Sequence, residues 1–270
     1  MKKYLLVLII FLTGCASLST YQIAQNMVLK AEEHGFKKID INTGLFTIRT
    51  FSKINNPKAP VCFYIEGDGR AWISKSRISQ NPTPKSNLVF QLASIDTCDN
   101  IIYIARPCQY TGREKNLAWN KAYWTDKRFS KEVIDSINTV ISRYVSDNDF
   151  SNITLIGFSG GGAVAILCAS IRNDINEIVT IAGNLDHKGV NKYNNVSQLQ
   201  GSLNPIDVAR DVKDIKQVHF IGKEDKVIPA FVAYDFKKAS GSPKCIEIVE
   251  VSEISHHSGW IKLWRKKYVN

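Results

Sequence analysis

Residues 152–170, NITLIGFSGGGAVAILCAS, constrain the fold of this chain more than any other stretch. Residues 152–158 have the length and composition of a buried strand. Residues 163–171, with small side chains at Ala163, Ala165 and Ala169, read as a buried helix. Between them lie Ser159, Gly160, Gly161 and Gly162, with Gly157 just before the end of the strand. A strand that becomes a helix within so few residues needs positions without a Cβ, because backbone passes backbone at close range. The junction Gly157-Phe158-Ser159-Gly160-Gly161 also fits the pattern G-x-S-x-G, which presents a serine above a sheet at a helix N-terminus. The same glycines suit a purely structural turn or a phosphate cradle, so the chemistry depends on partners elsewhere in the chain.

The rest of the chain repeats this alternation. Residues 21–33 are amphipathic and helical, closing near Gly35. Residues 36–41 and 45–51 alternate apolar and polar positions around the turn Asn42-Thr43-Gly44, the mark of an antiparallel hairpin. Apolar strands are expected at 61–65, 101–105, 177–182, 218–221 and 246–251, and helices at 85–94, 130–144, 230–238 and 260–267. Continuous apolar strands alternating with helices predict an α/β fold: a mostly parallel central sheet with helices on both faces, preceded by the N-terminal antiparallel hairpin. The chain has 270 residues, 44% of them apolar, and no long linker, so residues 36–270 read as one domain. The least regular stretches, 106–128 and 184–213, read as loops or a small cap.

The N-terminus follows a different rule. Lys2 and Lys3 precede an apolar stretch, residues 4–12, too short to span a bilayer, and Leu12-Thr13-Gly14-Cys15 ends it. This resembles the lipobox of bacterial lipoproteins. The resemblance implies a signal peptide over residues 1–14, acylation of Cys15 and a membrane-proximal segment and helix over 15–35. Ala16, rather than an aspartate, after the cysteine implies the outer membrane of a bacterial envelope, with the body facing the periplasm. The formal charge is +10, and removing Lys2 and Lys3 leaves 10 − 2 = +8. That balance favours anionic lipid surfaces, although most of the lysines are scattered and read as solvated surface. Nothing resembles a nucleic-acid-binding module, and no His/Cys spacing fits a metal site. Cys62 and Cys168 sit in apolar runs and read as small buried hydrophobes. Cys98 and Cys108 flank one strand, too far apart to bridge, and no disulfide is expected.

A serine hydroxyl needs a histidine to take its proton, an acid to orient that histidine, and preset donors for the oxyanion. Four segments offer these groups. Besides residues 152–170, HFIGKEDKVIP (219–229) follows a strand and carries Asp225, while IAGNLDH (181–187) carries a rival acid, Asp186. IEIVEVSEISHHSGW (246–260) delivers His256 and His257 just past the last strand. VCFYIEGDGRAW (61–72) places Gly67, Asp68 and Gly69 after a buried strand. In order and spacing these segments resemble the α/β-hydrolase superfamily, over roughly residues 36–270. The stretches YIEGDGRAW, YIARPCQY, GFSGGG, IAGNLDH and GSLNPIDVARD are further similar to a group of uncharacterised, lipoprotein-like bacterial α/β-hydrolases.

The resemblance implies a serine hydrolase that cleaves an ester, thioester or amide through an acyl-enzyme. Ser159 would be the nucleophile, His256 in preference to His257 the base, and Asp225 in preference to Asp186 the orienting acid. The N–H of Gly160 and one donor from Gly67, Asp68 or Gly69 would hold the oxyanion. Superfamily members usually have His-Gly in that loop where this chain has Glu66-Gly67, so the location is implied and the donor is left open. No cofactor is required, and the substrate class is a small-molecule or lipid-like ester. Residues 105–130 bring Arg106, Tyr110, Trp119, Tyr123, Trp124 and Arg128, which read either as the lining of a site for an acidic or amphiphilic substrate or as aromatics packing an excursion onto the sheet. Asp68 and Arg70 are placed to pair with that stretch. The alternative function is a non-catalytic ligand-binding lipoprotein on the same fold.

Overall fold

A computed structural model of the protein describes residues 18–74 and 76–268. The expected signal peptide and Cys15 lie outside the described residues. Helix α1 (Thr20–Glu33) opens on a capping box in which Ser19 and Gln22 satisfy each other's backbone N–H groups. Its buried residues, Met27 and Ala31, pack on the body. Strands β1 (Lys37–Asn42) and β2 (Thr47–Ile54) form the antiparallel hairpin. There follow β3 (Val61–Ile65), a short separate hairpin of β4 (Trp72–Ser74) and β5 (Arg77–Ile78), α2 (Leu88–Ser94), β6 (Asn100–Ile104), α3 (Lys131–Asp147), β7 (Ile153–Phe158) and α4 (Gly160–Ala169). The chain then runs through β8 (Glu177–Ile181), α5 (His187–Tyr193), β9 (Lys216–Gly222), α6 (Phe231–Ala239), β10 (Ile246–Val251) and α7 (Trp260–Tyr268).

Eight strands form one sheet in the order β1-β2-β6-β3-β7-β8-β9-β10. From β6 to β10 every neighbouring pair is parallel; β2 joins β6 antiparallel. The apolar strands are covered on both sides, as a parallel sheet requires. One core holds Val133, Ile137, Ile141, Ile166, Val232 and Phe236 from α3, α4 and α6. The other holds Met27, Phe90, Leu92, Trp260 and Trp264 from α1, α2 and α7. Helix α2, after β3, and helix α4, after β7, therefore leave two adjacent strands for opposite faces. That divergence makes the carboxyl ends of β3 and β7 a topological switch point, the place where ligands bind in open parallel sheets.

The structure departs from expectation in several places. The helix expected from residue 85 begins at Leu88, because Pro84 precedes it and the Ser86 hydroxyl takes the Leu88 N–H (3.2 Å). The helix expected from residue 163 begins at Gly160, directly after Ser159. Helix α5 and the hairpin of β4 and β5 arise in stretches that read as irregular or as continuous loop. Residues 106–128 pack on the body through their aromatics: Trp124, with Phe129 beyond it, lies in the core, and Tyr123 packs edge-on against Phe46 at 4.9 Å. Cys62 is only half-buried, and its thiol meets that of Cys98 rather than sitting among hydrocarbon alone. Among the described residues no helix is long and apolar enough to cross a membrane. None of them form a group of three or more His, Cys, Asp or Glu able to hold a metal ion.

Candidate active site

Ser159 sits at the turn from β7 into α4 with φ 52° and ψ −119°, a conformation that side-chain-bearing residues rarely adopt. The surrounding backbone holds it there. The Ser159 N–H donates to the Ile181 carbonyl (2.9 Å), and its own carbonyl accepts from Gly162 and Asn184 (both 3.0 Å). The glycines around it are explained by contact: a Cβ on Gly157 would lie 2.2 Å from the Gly161 carbonyl oxygen, and one on Gly161 would lie 2.2 Å from the Ile65 carbonyl oxygen. Any side chain at either position would push α4 off the sheet.

The acid and the histidine arrive from the neighbouring strand ends. Asp225 follows β9 and His256 follows β10, and the two loops are stitched together by Lys223 N–H to Val251 (2.9 Å) and Glu224 N–H to Ile254 (3.1 Å). Asp225 Oδ1 accepts from the Val227 and Ile228 N–H groups (2.8 and 2.9 Å), and Oδ2 from His256 Nδ1 (2.8 Å). Burial alone would raise the Asp225 pKa. The hydrogen bond and charge of His256, with the two N–H groups, outweigh it, and the carboxyl titrates below its ordinary value. An ionised carboxylate only accepts, so the imidazole proton resides on Nδ1, and Nε2 is left to accept from Ser159 Oγ at 3.0 Å. Two contacts fix the imidazole. Its ring packs on Phe158 at 5.2 Å, and the His256 carbonyl takes the indole N–H of fully buried Trp260 (3.0 Å).

Thus Ser159, His256 and Asp225, separated by up to 97 positions, form a continuous hydrogen-bonded relay. His257 stands beside it, exposed, with its ring 4.7 Å from that of His256 and no hydrogen bond to Ser159 or Asp225. Partial burial and then His256 depress the His257 pKa. Asp186 makes no hydrogen bond to His256 and accepts instead from the Asn204 amide (2.7 Å).

The loop after β3 completes the site. Gly67 lies against the turn, where a Cβ would meet the Phe158 carbonyl oxygen at 3.2 Å and Ser159 Cβ at 3.6 Å. Its N–H, however, is taken by the Glu66 carboxylate (2.9 Å), while its carbonyl accepts from Gln109 (3.0 Å). Asp68 and Gly69 donate to no described residue from their N–H groups, and neither do Gly160 and Gly161 at the start of α4. Glu66 itself is buried. Its other oxygen accepts from Tyr103 Oη (2.7 Å), and desolvation, against the pull of Tyr103, Gly67 and Arg106, pushes its pKa up to about 7. The Asp68 carboxylate lies against Gly160 and is flanked by Arg106 (3.4 Å) and Arg128 (3.2 Å). In the sequence Glu66 stands out only as a departure from the superfamily pattern; a carboxylate directly after an apolar strand and next to Gly67 is the signal that it claims a backbone donor. The strained turn carrying Gln109, with Cys108 at φ 66° and Tyr110 at φ 59°, left no signal of its own.

No family model matches the chain, and no curated protein matches it. Solved structures do. The esterase Est1E from Butyrivibrio proteoclasticus is similar at a TM-score of 0.60 and 12% identity, covering 85% of this chain and 95% of that one. The Pyrococcus furiosus esterase Pf2001 is similar at a TM-score of 0.61 and 12% identity over 89% and 96% of the two chains. An alpha-beta serine hydrolase homologue from Coxiella burnetii is similar at 0.58 and 12%, over 86% and 96%. Strand order, the turn at Ser159 and these likenesses agree: the chain has the fold of the α/β-hydrolase superfamily.

Proposed function

We propose that this protein is a serine hydrolase that cleaves a carboxylic ester through an acyl-enzyme. The observation that carries the reading is the relay itself: Ser159 Oγ, His256 and Asp225 in hydrogen-bond sequence, with the serine on a strained turn at the switch point. Ser159 Oγ attacks the ester carbonyl while His256 Nε2 takes its proton, and Asp225 supports the imidazolium that forms. The tetrahedral oxyanion is held by the N–H of Gly160 and, because Glu66 occupies Gly67, by that of Asp68 or Gly69. His256 then gives its proton to the leaving alcohol. Water, deprotonated by the same nitrogen, releases the acid and restores Ser159. His257 and Asp186 take no part in the transfer.

A fluorophosphonate probe tests the reading. Covalent labelling of the folded protein that disappears in Ser159→Ala supports it. Absence of labelling in folded wild-type protein rejects it in favour of a binding protein on the same fold. The lipobox-like stretch supports a second element of the reading: Cys15 is acylated and holds the hydrolase at the outer membrane, on the periplasmic side. Palmitate incorporation lost in Cys15→Ala, together with release from the membrane fraction, checks it.

A further inference from the structure

The corner formed by Asp68, Arg106 and Arg128 has more positive charge than its own contacts use. Asp68 packs directly on the first residue of α4: a Cβ on Gly160 would lie 2.0 Å from Asp68 Oδ1. A bare carboxylate there would oppose charge building up beside Gly160. Two guanidiniums answer it, Arg106 Nη1 at 3.4 Å from Oδ1 and Arg128 Nε at 3.2 Å from Oδ2, so the trio carries one net positive charge.

The two arginines are not equivalent. Arg106 is buried, its side chain 5% exposed, and it also donates through Nη2 to the Arg128 carbonyl, holding the neighbouring backbone in place. Arg128 makes no hydrogen bond from its guanidinium to any described residue. Its Nε is buried with the ion-pair contact to Asp68 but without hydrogen-bond geometry. Its side chain is 15% exposed, through the terminal nitrogens rather than the buried Nε. Both guanidiniums lie 5.5 Å from the centre of the Phe129 ring, and His187 packs on the same ring at 5.9 Å. Burial, followed by the Arg128 charge, depresses the His187 pKa and so favours the neutral imidazole beside the two arginines. A guanidinium held in place by its Nε side, with its terminal donors open to solvent, presents a planar fork that matches a carboxylate with two parallel hydrogen bonds.

We propose that Arg128, oriented by Asp68 and Arg106, receives a carboxylate on the acyl part of the substrate, so that the esters preferred at Ser159 are half-esters of dicarboxylic acids. The inference rests on the hydrolase reading and names its substrate class. It places the anion on the acyl part because the leaving oxygen has to face His256 Nε2 to be protonated, whereas Arg128 is reached through Asp68 and Gly160.

The test compares two p-nitrophenyl esters of equal acyl length, the butyrate and the hemisuccinate. Wild-type protein is expected to show the higher kcat/KM on the hemisuccinate. Arg128→Met is expected to lower the hemisuccinate-to-butyrate ratio about 10- to 100-fold, the range of a charge-assisted hydrogen-bonded contact, with Arg128→Lys in between. The ratio does not depend on the fraction of protein folded. A ratio unaltered by Arg128→Met overturns the proposal. If neither ester is turned over and the fluorophosphonate fails to label, it is the hydrolase reading that has failed. The anion site is then judged by binding to Ser159→Ala protein: a rise in Tm with monomethyl succinate that is lost in the Ser159→Ala, Arg128→Met double variant supports it, and no rise rejects it.

Discussion

The two sides of the site are built on opposite plans. On the β9–β10 side every polar atom that matters is engaged: Asp225 accepts three hydrogen bonds, both His256 nitrogens are used, and Trp260 holds the loop behind them. On the β3 side one carboxylate is buried beside Gly67 and another faces two arginines, one of which has donors to spare. A relay that passes a proton has to keep its atoms at fixed distances, so its loops are tied to each other and to the core. A corner that receives a ligand has to leave donors open until the ligand arrives, and the fold supports the excess charge there with packing on Phe129.

The largest expected effects lie on the tied side. His256→Ala should cut kcat on p-nitrophenyl butyrate by at least about ten-thousand-fold, and His257→Ala by less than about tenfold. Equal losses would erase the distinction between the two imidazoles. Asp225→Asn should cost about ten-thousand-fold in kcat, because the amide would donate to Nδ1 and force the imidazole proton onto Nε2. Asp186→Asn, whose acid bonds only Asn204, should stay within a few-fold in the same assay.

On the open side the effects appear in stability. Asp68→Asn removes the shared counter-charge of two arginines and should lower the unfolding free energy by about 3 kcal/mol, read from urea midpoints. An unchanged midpoint would show that solvent already satisfies both guanidiniums. The smallest effect is a pH slope. Glu66 titrates at about 7 in the folded protein, above its ordinary 4.5, so the folded state holds that proton more tightly than the unfolded chain. Its stabilising contribution is complete below about pH 4.5 and is lost as pH rises through about 7. Glu66→Gln should remove roughly 2–3 kcal/mol of that decline between those limits, seen by comparing wild-type and variant urea midpoints across the range.

Much of this architecture is written in local pattern. Apolar runs such as residues 61–65 and 153–158 specify strands buried on both faces, and the glycines at 157, 160, 161 and 162 specify the tight turn between β7 and α4. Position along the chain narrows the relay to one serine, two histidines and two acids, but local pattern stops there. His256 and His257 are neighbours in one loop, and what separates them is the Asp225 carboxylate and the Trp260 indole, brought in by other elements. Similarly, Gly67, Asp68 and Gly69 look equivalent as donors until the buried Glu66 carboxylate is seen to occupy the first. The hairpin of β4 and β5 has two or three residues per strand and a register irregularity, too short for alternation to reveal it. Long-range pairing of charge, as between Asp68 and Arg128, has no local signature at all.

Strand β10, which leads into the His256 loop, is one edge of the sheet and, among the described strands, pairs only with β9. Rims open before middles, since they give up half as many ladder bonds. On gentle warming, catalysis should therefore fade while the bulk of the helices and the central strands persist, and the temperature of half-maximal turnover becomes a gauge of that single margin rather than of the whole molecule.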